Sequence, residues 1–303
     1  MTLVQVQKRE AGEKLLRFLE RRLLEAPPAS VLHRWIRTGQ VRINGGRAKP
    51  FTLLREGDEI RLPPFAVPRA LEDGPSGPPD LGPDLPVVSF ADDLLVLAKP
   101  AGLAVQPGTG LTDSLADRLR AVYAGAAFIP APAHRLDAPT SGLLLVPLTQ
   151  RSRTELHAAF AAGTVHKEYL AWAAGNPADD GPFEMRDTLT KQTDGRGFER
   201  VASSPEGKEA RAAVSVVARL SAPRAALLRI LLHTGRTHQI RAQLAARALP
   251  LIGDRKYGGP PHSTLLLHCF RLRLPDGRAF TLRPDWAEPF GVGEDVFPAK
   301  NET

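Results

Sequence analysis

A chain of 303 residues exceeds the roughly 100 to 200 of a typical single domain, and its 43% hydrophobic content suits a globular protein with a sizeable core. No run of about 18 uncharged apolar residues occurs, the first residues carry charge where a secretion signal needs an apolar stretch, and the single cysteine, Cys269, leaves no internal disulfide framework and no cysteine zinc cage. A cytoplasmic, non-membrane protein without a metal site is expected. The net charge is +7, from 40 lysines and arginines against 33 acidic residues, and only nine of the 40 are lysine. A planar guanidinium suits phosphate contacts and stacking on bases, so a nucleic acid is a reasonable partner. Residues 1–65 hold 13 basic against seven acidic side chains, which puts six of the seven net positive charges in the first fifth of the chain.

That first fifth reads as a small basic module. Over residues 13–24, Leu15, Leu16, Leu19 and Leu23 recur at helical spacing, interleaved with Lys14, Arg17, Arg21 and Arg22. Ser30 is the expected N-cap of a second helix with Val31, Leu32, Trp35 and Ile36 on its apolar side, and Gly39 its C-cap. Val41 and Ile43 then alternate with polar residues ahead of Asn44-Gly45, a strong hairpin signal, and a further strand is expected at 59–62. Over residues 13–64 the string LLRFLERRL, SVLHRWIRTGQVRINGGRAKP, LREGDEIRLPP resembles the S4 RNA-binding domain. The resemblance implies that Arg34, Arg37, Arg42, Arg47 and Lys49 face folded RNA, where phosphate contacts give salt-dependent affinity.

Residues 63–86 are rich in proline and glycine and show no apolar period, so a semi-rigid spacer is expected, taken as 65–85. Domains are then expected at 1–64 and 86–303. In the second, strands are expected at 87–90, 94–98, 143–148, 168–174, 212–220 and 227–233, with a hairpin of 265–274 and 280–283 around Pro275-Asp276-Gly277. Helices are expected at 112–124, at 151–162 stopped by Gly163, and at 237–246. Strands outnumber helices without regular alternation. The fold class is therefore α+β: a mixed, largely antiparallel central sheet with flanking helices, plus the small α+β front module.

Common catalytic signatures fail. Asp113 stands where a G-x-G-x-x-G needs its third glycine, Ala202 where a P-loop needs glycine, and neither H-E-x-x-H nor G-x-S-x-G occurs. Four segments carry information instead: LLVLAKPAGLAVQPG at 94–108, HRLDAPTSGLLLV at 134–146, HKEYLAWAAG at 166–175 and LHTGRTHQIRAQLA at 232–245, followed by PLIGDRKYGG at 250–259. In this order they resemble the motifs of the RluA-type pseudouridine synthases over about residues 86–285, and with the S4-like front end the likeness is to the large-subunit ribosomal RNA members of type C. Ala98 and Ala138 depart from the family's usual Asn and Arg.

The resemblance implies a cofactor-free isomerisation of uridines in 23S ribosomal RNA, free or in a 50S assembly intermediate, by a monomer that flips the base from its stack. Asp137 takes the catalytic role, as nucleophile at ribose C1′ or base at C2′. An ionised carboxylate in a dry, base-sized pocket needs a fixed cation within about 4 to 6 Å, and Arg241 is implied for it. Tyr169 is implied to stack on the base and assist proton removal from C5. Arg135 is implied to fill the vacated stack, Arg236 to bind substrate, and Thr140 and Ser141 to shape the turn behind Asp137; Lys99 and Pro100 read as structural. Two other readings stay open: a catalytically silent RNA-binding or ribosome-assembly factor, and the same chemistry on tRNA.

Overall fold

A computed structural model describes residues 2–68, 77–91, 93–108, 112–126, 128–177, 181–193 and 199–297. In the front part, β1 (Thr2–Gln5), α1 (Leu15–Arg22), α2 (Ala29–Thr38), β2 (Arg42–Ile43) and β3 (Glu59–Leu62) make a three-stranded sheet, order β1-β3-β2, with two helices on it. Leu15, Phe18, Leu19 and Leu23 of the first helical region meet Leu32, Trp35 and Ile36 of α2, with Val4, Val6, Val41, Ile60 and Leu62, in one closed core. Gly39 caps α2 in the left-handed conformation at φ 75°, as the sequence implies. Ser30 does not cap it: Pro28 holds that position and Ala29 is already helical, because proline's fixed φ prepares the first turn. Asn44 and Gly45, at φ 48° and 76°, form the two-residue turn with Ile43 and Gly46 bonded across it, the doubly positive φ that a type I′ hairpin demands.

The rest is built on one ten-stranded sheet. Its strands are β4 (Val87–Phe90), β5 (Leu94–Lys99), β6 (Ser141–Pro147), β7 (His166–Ala174), β8 (Phe183–Thr193), β9 (Glu199–Ser203), β10 (Lys208–Leu220), β11 (Ala225–Leu232), β12 (Leu267–Arg273) and β13 (Ala279–Thr281), in the order β4-β5-β6-β12-β7-β11-β10-β8-β9 with β13 on β12. Among the described strands β6 with β12 is the parallel pair, Ser141 facing His268 and Gly142 facing Cys269; the others are antiparallel. The α+β class with a mixed, largely antiparallel sheet holds. The helices α3 (Leu115–Val122), α4 (Gln150–Ala161) and α5 (Gln239–Ala245) flank it. Period-two alternation in β7 divides the two faces: Tyr169, Ala171 and Ala173 join the main core with Leu228 and Ile230, while Leu170 and Trp172 pack on Phe270 and Phe290 behind the sheet.

Neither end of the proline-rich segment hangs free. Ala66 belongs to the front core, Leu81 and Leu85 belong to the main core, and Arg118 of α3 binds Asp84 and the Leu81 carbonyl. The middle of the expected spacer, 69–76, lies outside the described residues. The 3₁₀ turn Lys8–Glu10 packs against α4, and a groove of about 660 Å³ beside it is lined by Lys14, Arg17, Arg151 and Arg153.

Candidate active site

The HRLD segment is a loop pinned from both sides. The Leu145 N–H donates to His134 Nε2 at 3.2 Å and the Ala133 N–H to the Leu145 carbonyl at 2.8 Å, so the loop's start is fixed to β6. Burial, then the nearby Lys167, pushes His134 down to about 3, which keeps Nε2 an acceptor. On the far side the Ala138 carbonyl accepts from the Gly102 N–H at 2.8 Å and from Lys99 Nζ at 3.0 Å. Lys99 also donates to the Pro100 and Leu103 carbonyls, at 2.7 and 2.8 Å, so the ammonium's three protons are all used. Burial pushes Lys99 down to about 7, with Asp137 opposing. The chain then enters β6 at Ser141, and Gly142 at φ 121° is required there: a Cβ would sit on the Cys269 backbone of β12.

Asp137, held on this loop with its side chain 15% exposed, faces α5. Arg241 Nη1 donates to Asp137 Oδ2 at 3.3 Å, while its Nε and Nη2 grip Asp254 Oδ2 and Oδ1 at 2.7 and 2.8 Å. Asp254 is 1% exposed and also accepts from the Lys256 and Tyr257 N–H groups. The guanidinium lies 5.2 Å from the Tyr257 ring centroid. Burial works against the Arg241 charge, but Asp254 and then Asp137 overcome it and hold the guanidinium above its ordinary range. A neutral, bidentate Arg–Asp137 pair would leave the acid quenched. Here the bidentate face belongs to Asp254 and Asp137 receives one longer bond.

Tyr169 comes from β7, opposite Ile230 on one side and Cys269 on the other. Burial, and then the neighbouring Cys269, push its pKa well above the ordinary phenol range, so it stays protonated. Burial likewise pushes Cys269 up to about 12. A cavity of about 430 Å³, ample for a nucleoside, is lined by Arg135, Asp137, Tyr169, Arg236, His238 and Arg241 among others. Among the described residues no group of three or more His, Cys, Asp or Glu side chains is arranged to hold a metal.

Thus Asp137, Tyr169 and Arg241 are brought together, with exposed Arg135 at the rim and buried Thr140 in the wall. Arg236 lines the cavity and anchors its Nε on the Glu209 carbonyl at 2.9 Å. Ser141 is turned elsewhere: His268 Nε2 donates to the Leu282 carbonyl, so Nδ1 accepts the Ser141 hydroxyl at 2.8 Å. In the front module Arg34, Arg37, Arg47 and Lys49 are exposed, Lys49 over the Phe51 ring. Arg42 is half-buried and donates to the Gly39 and Gly45 carbonyls, and Arg61 reaches the same Gly39 carbonyl. Arg21 and Arg22 are folded onto Glu10 and Glu13. Sequence reasoning gave no role to His238, Asp254 or Tyr257; the GDRKYGG string was visible, but not its pairing with α5.

Asp137, Tyr169, His238 and Arg241 of this cavity lie within the span 93–246, which matches the family model for RNA pseudouridylate synthase. The chain belongs to the RNA pseudouridylate synthase family. Among curated relatives, the ribosomal large subunit pseudouridine synthase C of Yersinia pestis is 35% identical over 288 residues, covering 90% of this chain and 87% of that protein. The protein of the same name from Escherichia coli strain K12 is 36% identical over 253 residues, covering 82% of this chain and 77% of its own. The solved structure of human RNA Pseudouridylate Synthase Domain Containing 1 superposes with a TM-score of 0.56 at 25% identity, over 66% of this chain and 83% of that one.

Proposed function

We propose that this protein converts uridines of large-subunit ribosomal RNA to pseudouridine, with Asp137 as the acting group. The observation that carries the reading is the single 3.3 Å bond from Arg241 to an Asp137 carboxylate that otherwise faces a nucleoside-sized cavity. The names of the two bacterial relatives support the choice of RNA. The reaction breaks the C1′–N1 bond, turns the base, joins C5 to C1′, releases the C5 proton and places one proton on N1, so that the product is an isomer of the uridine. Its atoms balance within one nucleotide, so one carboxylate can serve, as nucleophile at C1′ or as base at C2′. Arg241 holds the carboxylate aimed at the cavity in either case. Tyr169, neutral, offers its ring face to the flipped base, and Arg135 at the rim can occupy the gap left in the RNA stack.

In this proposal residues 1–64 form an S4-like RNA-binding domain, 65–85 the connection and 86–303 the catalytic domain. Exposed Arg34, Arg37, Arg47 and Lys49 contact phosphate, and the protein works as a monomer in the cytoplasm beside its RNA. The test is incubation with unmodified large-subunit RNA followed by carbodiimide mapping. Wild type is expected to give discrete pseudouridines, and Asp137→Asn to bind RNA while losing turnover by on the order of 10³-fold or more. Near-wild-type turnover in Asp137→Asn removes the acid from the chemistry.

A further inference from the structure

The GDRKYGG turn lies beyond the family-matched span and has no part in the reading above, yet it touches two cavity side chains. Asp254 secures Arg241. Tyr257 secures His238, with its hydroxyl 3.0 Å from His238 Nδ1. The same hydroxyl oxygen also accepts the Val201 N–H at 2.9 Å, an arrangement in which its own proton is available to His238 Nδ1. Nδ1 is then an acceptor and the ring proton sits on Nε2. That Nε2–H points into the cavity, 3.9 Å from Asp137 Oδ2.

A separation of 3.9 Å is too long for a hydrogen bond between the two groups, but it puts the donor within reach of an atom on which Asp137 acts. The backbone supports a functional reading: His238 caps α5 at φ 50°, a left-handed conformation costly for a side chain of this size. Burial first, then the Arg241 and Lys256 charges, lower its basicity against the pull of Asp137 and Asp254, so the imidazole is a neutral donor. Resting on the assignment of Asp137 to ribose chemistry, we propose that His238 donates its Nε2–H to the 2′-hydroxyl oxygen of the flipped nucleotide, with Tyr257 as the positioning residue that sets its tautomer. The oxygen fits because it is bonded to C2′ and one bond further from C1′, the two carbons open to Asp137. The pair would make the cavity a reader of ribose against deoxyribose.

The test uses full-length protein carrying Asp137→Asn, so that binding is measured without turnover. Its ligand is an RNA fragment holding the uridine found by carbodiimide mapping, with ribose or 2′-deoxyribose at that one position. The Asp137→Asn protein is expected to prefer the ribose form by about tenfold. Adding His238→Ala should bring the two affinities together, and His238→Gln, whose amide donates from a similar place, should restore the preference. Tyr257→Phe should reduce it, and in long-range nitrogen–proton spectra should change His238 from one Nε2–H tautomer to a mixture. A preference unchanged by His238→Ala, or a protonated Nδ1 in the parent, overturns this proposal while leaving the assignment of Asp137 standing. Turnover that survives Asp137→Asn, or no pseudouridine from wild type, overturns both.

Discussion

In the front module Glu10 is buried against Arg21 and Arg22, with Glu13 completing the set; in the large domain Asp254 is buried against Arg241, with Asp137 completing it. The first cluster joins two arginines to two glutamates. Glu10 Oε1 takes both guanidinium groups, its Oε2 takes the Gln7 N–H, and the charges cancel within a part-buried cluster. The second shares one arginine between two aspartates. Its buried acid is saturated, so the surplus negative charge falls on the acid that faces the cavity. Burial and ion pairing alone therefore do not mark a site; an unequal count with one acid left open does.

The widest contrast should come from Arg241→Lys. A lysine cannot grip Asp254 with a fork and reach Asp137 together, and disrupting a buried pair costs about 3 to 5 kcal/mol. Turnover on ribosomal RNA is expected to fall by about 10²-fold or more, and a lysine enzyme near wild-type kcat would refute the need for sharing. Glu10→Gln should act differently, destabilising the front module by about 2 to 3 kcal/mol in thermal unfolding and weakening RNA affinity, with kcat at saturating RNA nearly intact. If kcat fell as far as in Arg241→Lys, the two clusters would not be separable in function. The smallest effect is expected from Arg34→Gln with Arg37→Gln, which leave both clusters alone: the slope of log affinity against log salt should shrink by about one per arginine, read by filter binding at several salt concentrations.

Much of this was legible because local patterns carry it. The strand at β7, the Asn44-Gly45 turn and the Gly39 cap are each decided by a few neighbouring residues, and structure agrees at all three. β1, β8 and β9 went unread. In β8 the buried apolar residues are Met185 and Leu189, four apart, too sparse to show a two-residue period, and the strand is fixed instead by register with β10, Lys208 facing Leu189. The same pairing starts β10 at Lys208, ahead of the expected 212. The last helix begins at Gln239 and not at 237, because His238 takes the left-handed conformation. At the site, Asp137 and Arg241 were visible as motif residues. Their third partner was not, since the Asp254 bond depends on how the chain returns to α5 from beyond it.

One topological detail bears on how the molecule is made. β12 lies between β6 and β7, yet it follows them by roughly a hundred residues. A nascent chain that stops short of Leu267 has synthesised every residue of the cavity wall that reacts, but β6 and β7 then lack the neighbour that joins them and show raw edges to other chains. The sheet that joins the loop of Asp137 to the strand of Tyr169 is therefore complete only after the strand carrying Cys269 has been synthesised.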